Sequence, residues 1–173
     1  MFKSDSYKFH WEDIGNISYG RPNLGPQTSV ISYRLMQYSL WSTLIRNFGA
    51  KKANELFYEA GYEAGMEFCN NALDTYIELN GFLENLHIAL KELGMGVLKI
   101  EKLDLENMHL VLSVSEDLDC SGMPITENTV CVYDEGFIAG ILKVFTLRNF
   151  IVKEIDCWGT GDKTCRFDIK MKY

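Results

Sequence analysis

Four side chains in the C-terminal part of the sequence have the types and spacing to hold a metal ion. Cys131, Glu154, Cys157 and Cys165 follow the pattern Cys-x22-Glu-x2-Cys-x7-Cys. Zinc takes four ligands in a tetrahedron, drawn from thiolate, imidazole and carboxylate. Three thiolates and one carboxylate satisfy that, and they leave no open position for water, so such a metal would be structural. Two other readings of the same residues stay open. Free cysteine is among the most buried side chains, so the thiols could be plain core. Cys157 and Cys165 flank the short loop of "EIDCWGTGDKTC" and could also face each other as a redox pair. Period-2 alternation puts Glu154 and Cys157 on opposite faces of a regular strand, so a shared metal requires the strand to bend or end near Asp156. A nucleophilic cysteine fits less well. It needs a nearby base, and His10, His87 and His109 have no spacing that ties them to a cysteine.

These residues need elements to hold them. Residues 1–26 read as an irregular lead-in, punctuated by Gly20, Pro22, Gly25 and Pro26. Thr28 or Ser29 can cap a helix over about 29–48, where Val30, Tyr33, Met36, Leu40, Leu44 and Phe48 recur at helical steps. Gly49 ends it, and a second helix covers about 50–73. A third spans 82–93 and stops at Gly94. The period then changes to two. "GVLKIEKLDL" and "NMHLVLSVSE" read as paired strands, with Met108, Leu110, Leu112 and Val114 on one face. "DLDCSGMPITEN", which contains Cys120, is loop, and Cys131 opens a fourth helix over 131–147. A thiolate there is favoured by the helix N-terminus. "FIVKEIDCW" and "CRFDIKMKY" close the chain as two strands. The class is α+β: an antiparallel sheet of hairpins packed against about four helices, in one domain over 1–173.

Two helices share a feature. Gly61 and Gly65 in "AGYEAG", and Gly136 and Gly140 in "EGFIAG", are each spaced i, i+4 and line one side of a helix. Mid-helix glycine costs roughly 0.5–1 kcal/mol relative to alanine, so close backbone approach is the expected compensation. The two helices are expected to cross at their glycines, or to leave room for a ligand there.

Composition narrows the function. The chain has 173 residues, 47% of them hydrophobic and 24% charged. The net charge of −7 disfavours nonspecific binding to nucleic acid or to anionic membranes. The N-terminus lacks a signal-peptide pattern and no apolar run spans a bilayer, which predicts a soluble, cytoplasmic protein without membrane insertion. An odd count of 5 cysteines in that compartment argues against a disulfide framework.

"CVYDEGFIAGIL…VKEIDCWGTGDKTCRFDI" resembles the 4-vinyl reductase (4VR) domain family, with its Cys-x-Tyr-x-x-Gly-Phe-x-x-Gly helix, Glu-x-x-Cys hairpin and Gly-Asp-x-x-Cys-x-Phe strand. "YEAGYEAG" resembles the family's upstream glycine helix. The resemblance implies a fold shared with haem-nitric-oxide-binding domains and with subunits of the TRAPP tethering complex. It implies a ligand-binding module that often dimerises. It also implies a structural zinc ion on Cys131, Glu154, Cys157 and Cys165, as in the sensory domains of phenol-type regulators.

The expected function is therefore that of a sensor or carrier. An apolar small molecule or lipid would bind beside a zinc hairpin, lined by Met108, Leu110, Phe137, Ile141 and Val152, in a chain that forms a homodimer. A first alternative is an enzyme or accessory protein acting on a tetrapyrrole vinyl group. No Gly-x-Gly-x-x-Gly follows a strand to bind a dinucleotide for such a reaction. A second alternative is a dimerising scaffold without a ligand.

Overall fold

The structure is a computed structural model, and it describes residues 7–172. The lead-in expected over 1–26 falls partly outside them. Its described part is not wholly irregular: a 3-10 turn forms at Trp11–Ile14 and a one-turn helix, α1, at Ile17–Gly20. Asn16 caps α1 by accepting from the Tyr19 amide at 2.9 Å. The main elements follow as α2 (Val30–Ala72), α3 (Leu79–Glu92), β1 (Val97–Asp104), β2 (His109–Ser115), α4 (Val132–Thr146), β3 (Phe150–Asp156) and β4 (Cys165–Met171). Among the described residues no helix is long and apolar enough to cross a membrane.

Helix α2 is two helices in one. Ser29 caps its start, and Gly49, at φ 80° and ψ 157°, breaks it. That left-handed φ favours glycine. Trp41 Nε1 donates to Asn54 Oδ1 at 3.1 Å, and the Trp41 and Phe57 rings lie 6.1 Å apart. A straight helix would hold residues 41 and 57 roughly 24 Å apart. The arm 30–48 therefore folds back along the arm 50–72.

The four strands form one antiparallel sheet in the order β1-β2-β4-β3. Alternation buries Leu110, Leu112 and Val114 of β2, Phe167 and Ile169 of β4, and Phe150 and Val152 of β3. Met108 stands just before β2 with φ 47° rather than within it. Helix α3 packs on β1, and α4 packs on β3. Phe82 of α3 stacks on Phe145 of α4 with ring centroids 3.8 Å apart.

Helix α4 is covered on both sides, by the sheet and by α2. Its run from Glu135 to Leu142 is buried without interruption, as expected of a helix packed all round. The α2 contact is the glycine crossing that the spacing predicts. A Cβ at Gly61 would fall on the Tyr133 carbonyl, and one at Gly65 on the Phe137 carbonyl. Reciprocally, a Cβ at Gly136 would fall on the Tyr58 carbonyl, and one at Gly140 on that of Tyr62. Backbone lies against backbone, so nothing at the contact can yield as a side chain would.

Gly61→Ala and Gly140→Ala should each lower stability by about 1–3 kcal/mol or more, the cost of overpacking a rigid contact. Gly20→Ala is the control. Its added Cβ meets nothing within 4 Å, so it should stay within about 0.5 kcal/mol of wild type. Urea denaturation midpoints of the three variants check this.

Candidate metal centre and the adjoining cavity

Four cysteines converge where three loops meet the end of the sheet. Cys120 comes from the loop after β2, Cys131 from the N-cap of α4, Cys157 from the end of β3 and Cys165 from the start of β4. All four are fully buried. Cys131 Sγ lies 3.9 Å from Cys157 Sγ and 3.7 Å from Cys165 Sγ. Cys120 Sγ lies 3.9 Å from Cys157 Sγ and 3.1 Å from Cys165 Sγ. Four sulfurs at Zn–S bond lengths of ~2.3 Å on a tetrahedron are about 3.8 Å apart. Three of these four separations match that edge. The donor set is thus compatible with a metal ion held by four thiolates.

The surroundings suit thiolate. The Gly159 amide donates to Cys157 Sγ at 3.4 Å. Hydrogen bonds from the Cys120, Cys131 and Cys165 thiols hold Cys157 far below the usual thiol range, while the same crowding and burial push Cys131 up. Without a cation, four sulfurs this close cannot all ionise.

Of the four residues that the sequence singles out as ligands, the structure brings Cys131, Cys157 and Cys165 into this group, with Cys120 as the fourth member. Glu154 stands beside it. A register shift in the β3–β4 ladder between Glu154 and Asp156 supplies the bend that the strand needs, and both Glu154 and Cys157 turn inward. Glu154 Oε2 accepts from the amides of Val130 at 3.1 Å and Cys131 at 2.9 Å. The carboxylate thereby satisfies two amides at the start of α4. Its Oε1 is buried without a partner. Burial pushes its pKa up to about 8.

Cys120 has no spacing cue of its own. Its signal is topological: β2 pairs with β4 so that Val114 faces Cys165, and the chain leaving β2 must pass the other thiols. Asp117 then turns the loop, its Oδ1 accepting from the amides of Asp119 at 2.9 Å and Cys120 at 3.0 Å. The first arm of α2 clamps this loop. Arg34 donates to the carbonyls of Leu118 at 2.8 Å and Ser121 at 3.0 Å. Tyr38 donates to the Asp119 carbonyl at 2.5 Å, and Tyr33 to Asp119 Oδ1 at 2.7 Å.

Cavities adjoin the clamp. One of about 210 Å³ lies between the two arms of α2, lined by Met36, Leu40, Leu44, Leu56, Phe57 and Ala60, with Tyr33, Gln37 and Tyr133 at its inner side. A second, of about 40 Å³, is reached past the same Tyr33 and Tyr133. Asp117, Asp119, Asp134 and Phe137 help line it. Burial pushes Asp117 up to about 7 and Asp134 well above the carboxylate range. A wider depression of about 980 Å³ around Tyr76 and Glu84 is open to solvent and shares no residue with the thiol group. Among the five expected lining residues, Phe137 borders the small cavity. Leu110, Ile141 and Val152 are packed into the core, and Met108 lies partly buried against it.

Residues 110–171 match the vinyl-4-reductase (4VR) domain. The match begins within β2 and ends with β4, so it takes in all four clustered thiols, but not the upstream glycine helix. An uncharacterized protein of Methanocaldococcus jannaschii is 28% identical over 111 residues, which are 64% of this chain and 63% of that one. A second uncharacterized protein of that organism is 29% identical over 126 residues, 70% of this chain and 61% of the relative. The chain thus spans less than two thirds of these relatives. Among solved structures, the phenol-responsive sensory domain of the transcription activator PoxR superposes with a TM-score of 0.68 at 18% identity, over 83% of this chain and 75% of that one. A trafficking protein particle complex subunit 3 from Naegleria fowleri, covalently bound to palmitic acid, gives 0.65 at 16% identity, over 83% and 95%. An H-NOX protein from S. oneidensis gives 0.57 at 14% identity, over 87% and 80%. At these identities the likeness is one of fold, and it is the α+β fold that the residues and their resemblance predict.

The clamp gives a direct test. Arg34→Ala should free the 117–121 loop and raise the alkylation rate at Cys120 by about tenfold, the effect of losing roughly 1.4 kcal/mol of restraint. Iodoacetamide labelling with peptide mass mapping reads it, and an unchanged rate would show that the loop is held by the sulfurs alone.

Proposed function

We propose that this chain is a small-molecule-binding domain of the sensor type, and that a structural zinc ion on Cys120, Cys131, Cys157 and Cys165 fixes one wall of its binding cavity. One observation carries the reading: the loop that delivers Cys120 to the sulfur group also delivers Asp119 to the cavity, so the metal centre and the cavity wall are one construction. The match to the 4VR domain supports it. So does the fold shared with a domain described as phenol-responsive and with a subunit carrying palmitic acid. The apolar lining between the arms of α2 suits an apolar molecule of modest size. Zinc here would not take part in chemistry, because four thiolates close its coordination.

The first arm also exposes Ile31, Leu35 and Phe48. We assign this apolar surface to pairing with a second copy of the chain. Light scattering should give twice the chain mass, and Leu35→Glu should halve it.

Metal analysis should find about one zinc per chain. Cys120→Ser should lose it and destabilise the fold, since metal binding is coupled to folding. Glu154→Gln should keep it, because a neutral amide still accepts from the Val130 and Cys131 amides. The reverse pattern, zinc kept without Cys120 and lost without the Glu154 carboxylate, would restore the ligand set of three cysteines and Glu154. Ala60→Trp, which fills the larger cavity, should abolish the thermal shift given by aromatic alcohols and leave zinc content unchanged. If no apolar compound shifts the melting of wild type, the binding reading falls and a dimerising scaffold takes its place.

A further inference from the structure

The small cavity is not apolar like its neighbour. Asp117, Asp119 and Asp134 meet at it, together with Tyr33 and Tyr133. Asp119 is only 6% exposed. Its Oδ1 is bound by Tyr33, but its Oδ2 is buried with no hydrogen-bond partner. Asp134 Oδ2 is likewise buried and unpartnered. Among the described residues none of the three carboxyls forms an ion pair. Arg34 is the nearby cation, and it directs its donors at the carbonyls of Leu118, Ser121 and Asp117. Oxygens left in this state cost free energy unless something supplies donors. Ionised thiolates behind Asp117 and Asp134 would add to the negative potential.

We propose that the ligand is a primary amine with a compact apolar body, its ammonium group bound by Asp119 and Asp134 and its body seated between the arms of α2. This rests on reading the cavity as the ligand site, and it narrows the ligand's class. An ammonium carries three donors and one positive charge, which answer two orphaned oxygens and a negative surround. The inner cavity of about 40 Å³ suits a head group the size of one water, whose share of liquid volume is about 30 Å³. The outer one, about 210 Å³ and lined almost wholly by apolar side chains, takes the body. Tyr33 and Tyr133 border both, so head and body are continuous. Carboxylate-headed molecules are excluded, because their charge would face Asp119 and Asp134 in a buried site.

The test uses the full chain with its metal and three probes of one shape: 2-phenylethylamine, 2-phenylethanol and 3-phenylpropionate. Calorimetric titration at one fixed pH should find the amine bound about tenfold or more tighter than the alcohol, the worth of one charge-assisted hydrogen bond. The carboxylate should not bind. Asp134→Asn should erase the amine's advantage while alcohol binding and metal content stay unchanged. Should that variant not fold, Asp119→Asn, which keeps an acceptor for Tyr33, gives the same readout. Equal binding of amine and alcohol, or an advantage that survives both substitutions, overturns the amine assignment and leaves the small-molecule reading standing. If none of the three probes binds, both are overturned.

Discussion

Backbone contact between α2 and α4 sets the position of everything around it. Two glycines on each helix let the carbonyl ridges of one sit on the other, so the spacing between these helices cannot be adjusted by rotamer changes. That fixed spacing sets the height of α4 above the sheet. It therefore fixes Cys131, which caps α4, and Tyr133 and Asp134 in its first turn. The same contact holds the second arm of α2 as a floor on which the first arm folds back. Conformational freedom given up by four glycines is exchanged for a rigid frame, and the thiols and the cavity are mounted on it.

The sulfur group does a different job. It joins segments that share few apolar contacts of their own: the loop after β2, the start of α4 and the hairpin of β3 and β4. A loop such as 117–121 has little core to hold it, so its order comes from polar bonds to Arg34, Tyr33 and Tyr38 on one side and from Cys120 on the other. The buried carboxyl of Glu154 completes the junction by satisfying the amides of Val130 and Cys131. Without it the first turn of α4 would begin on bare, buried amides.

Much of this is legible in the residues. The change from helical to alternating period locates the strands to within a few residues. The glycine pairs announce their crossing because a mid-helix glycine without a close neighbour is a poor choice. Gly49 correctly marks a break, but its sequence cannot say that the arms fold back, since a helix end and a reversal share the same local signal. Cys120 stays hidden because its partnership is set by the β2–β4 pairing, a contact between strands separated by a helix and another strand. Glu154 is singled out by its place near Cys157, and the bulge beside it turns it inward. What local pattern does not show is whether that carboxylate faces a metal or the amides of Val130 and Cys131. Alternation points to a cavity over the sheet face, but there Leu110, Ile141 and Val152 interlock into core. The space lies instead between two stretches of one long helix, where the curvature of paired cylinders leaves gaps that linear periodicity does not encode.

The reversal at Gly49 ties two kinds of access together. Lifting the first arm to admit a guest means undoing the bonds of Arg34, Tyr33 and Tyr38 to the 117–121 loop, and that loop is what keeps solvent from Cys120. Reagents in solution thus reach the sulfurs through the same opening that a guest uses. An occupied cavity holds the arm down, so the guest protects the thiols from oxidants, and the lifetime of the metal centre in air becomes a measure of how often the cavity stands empty.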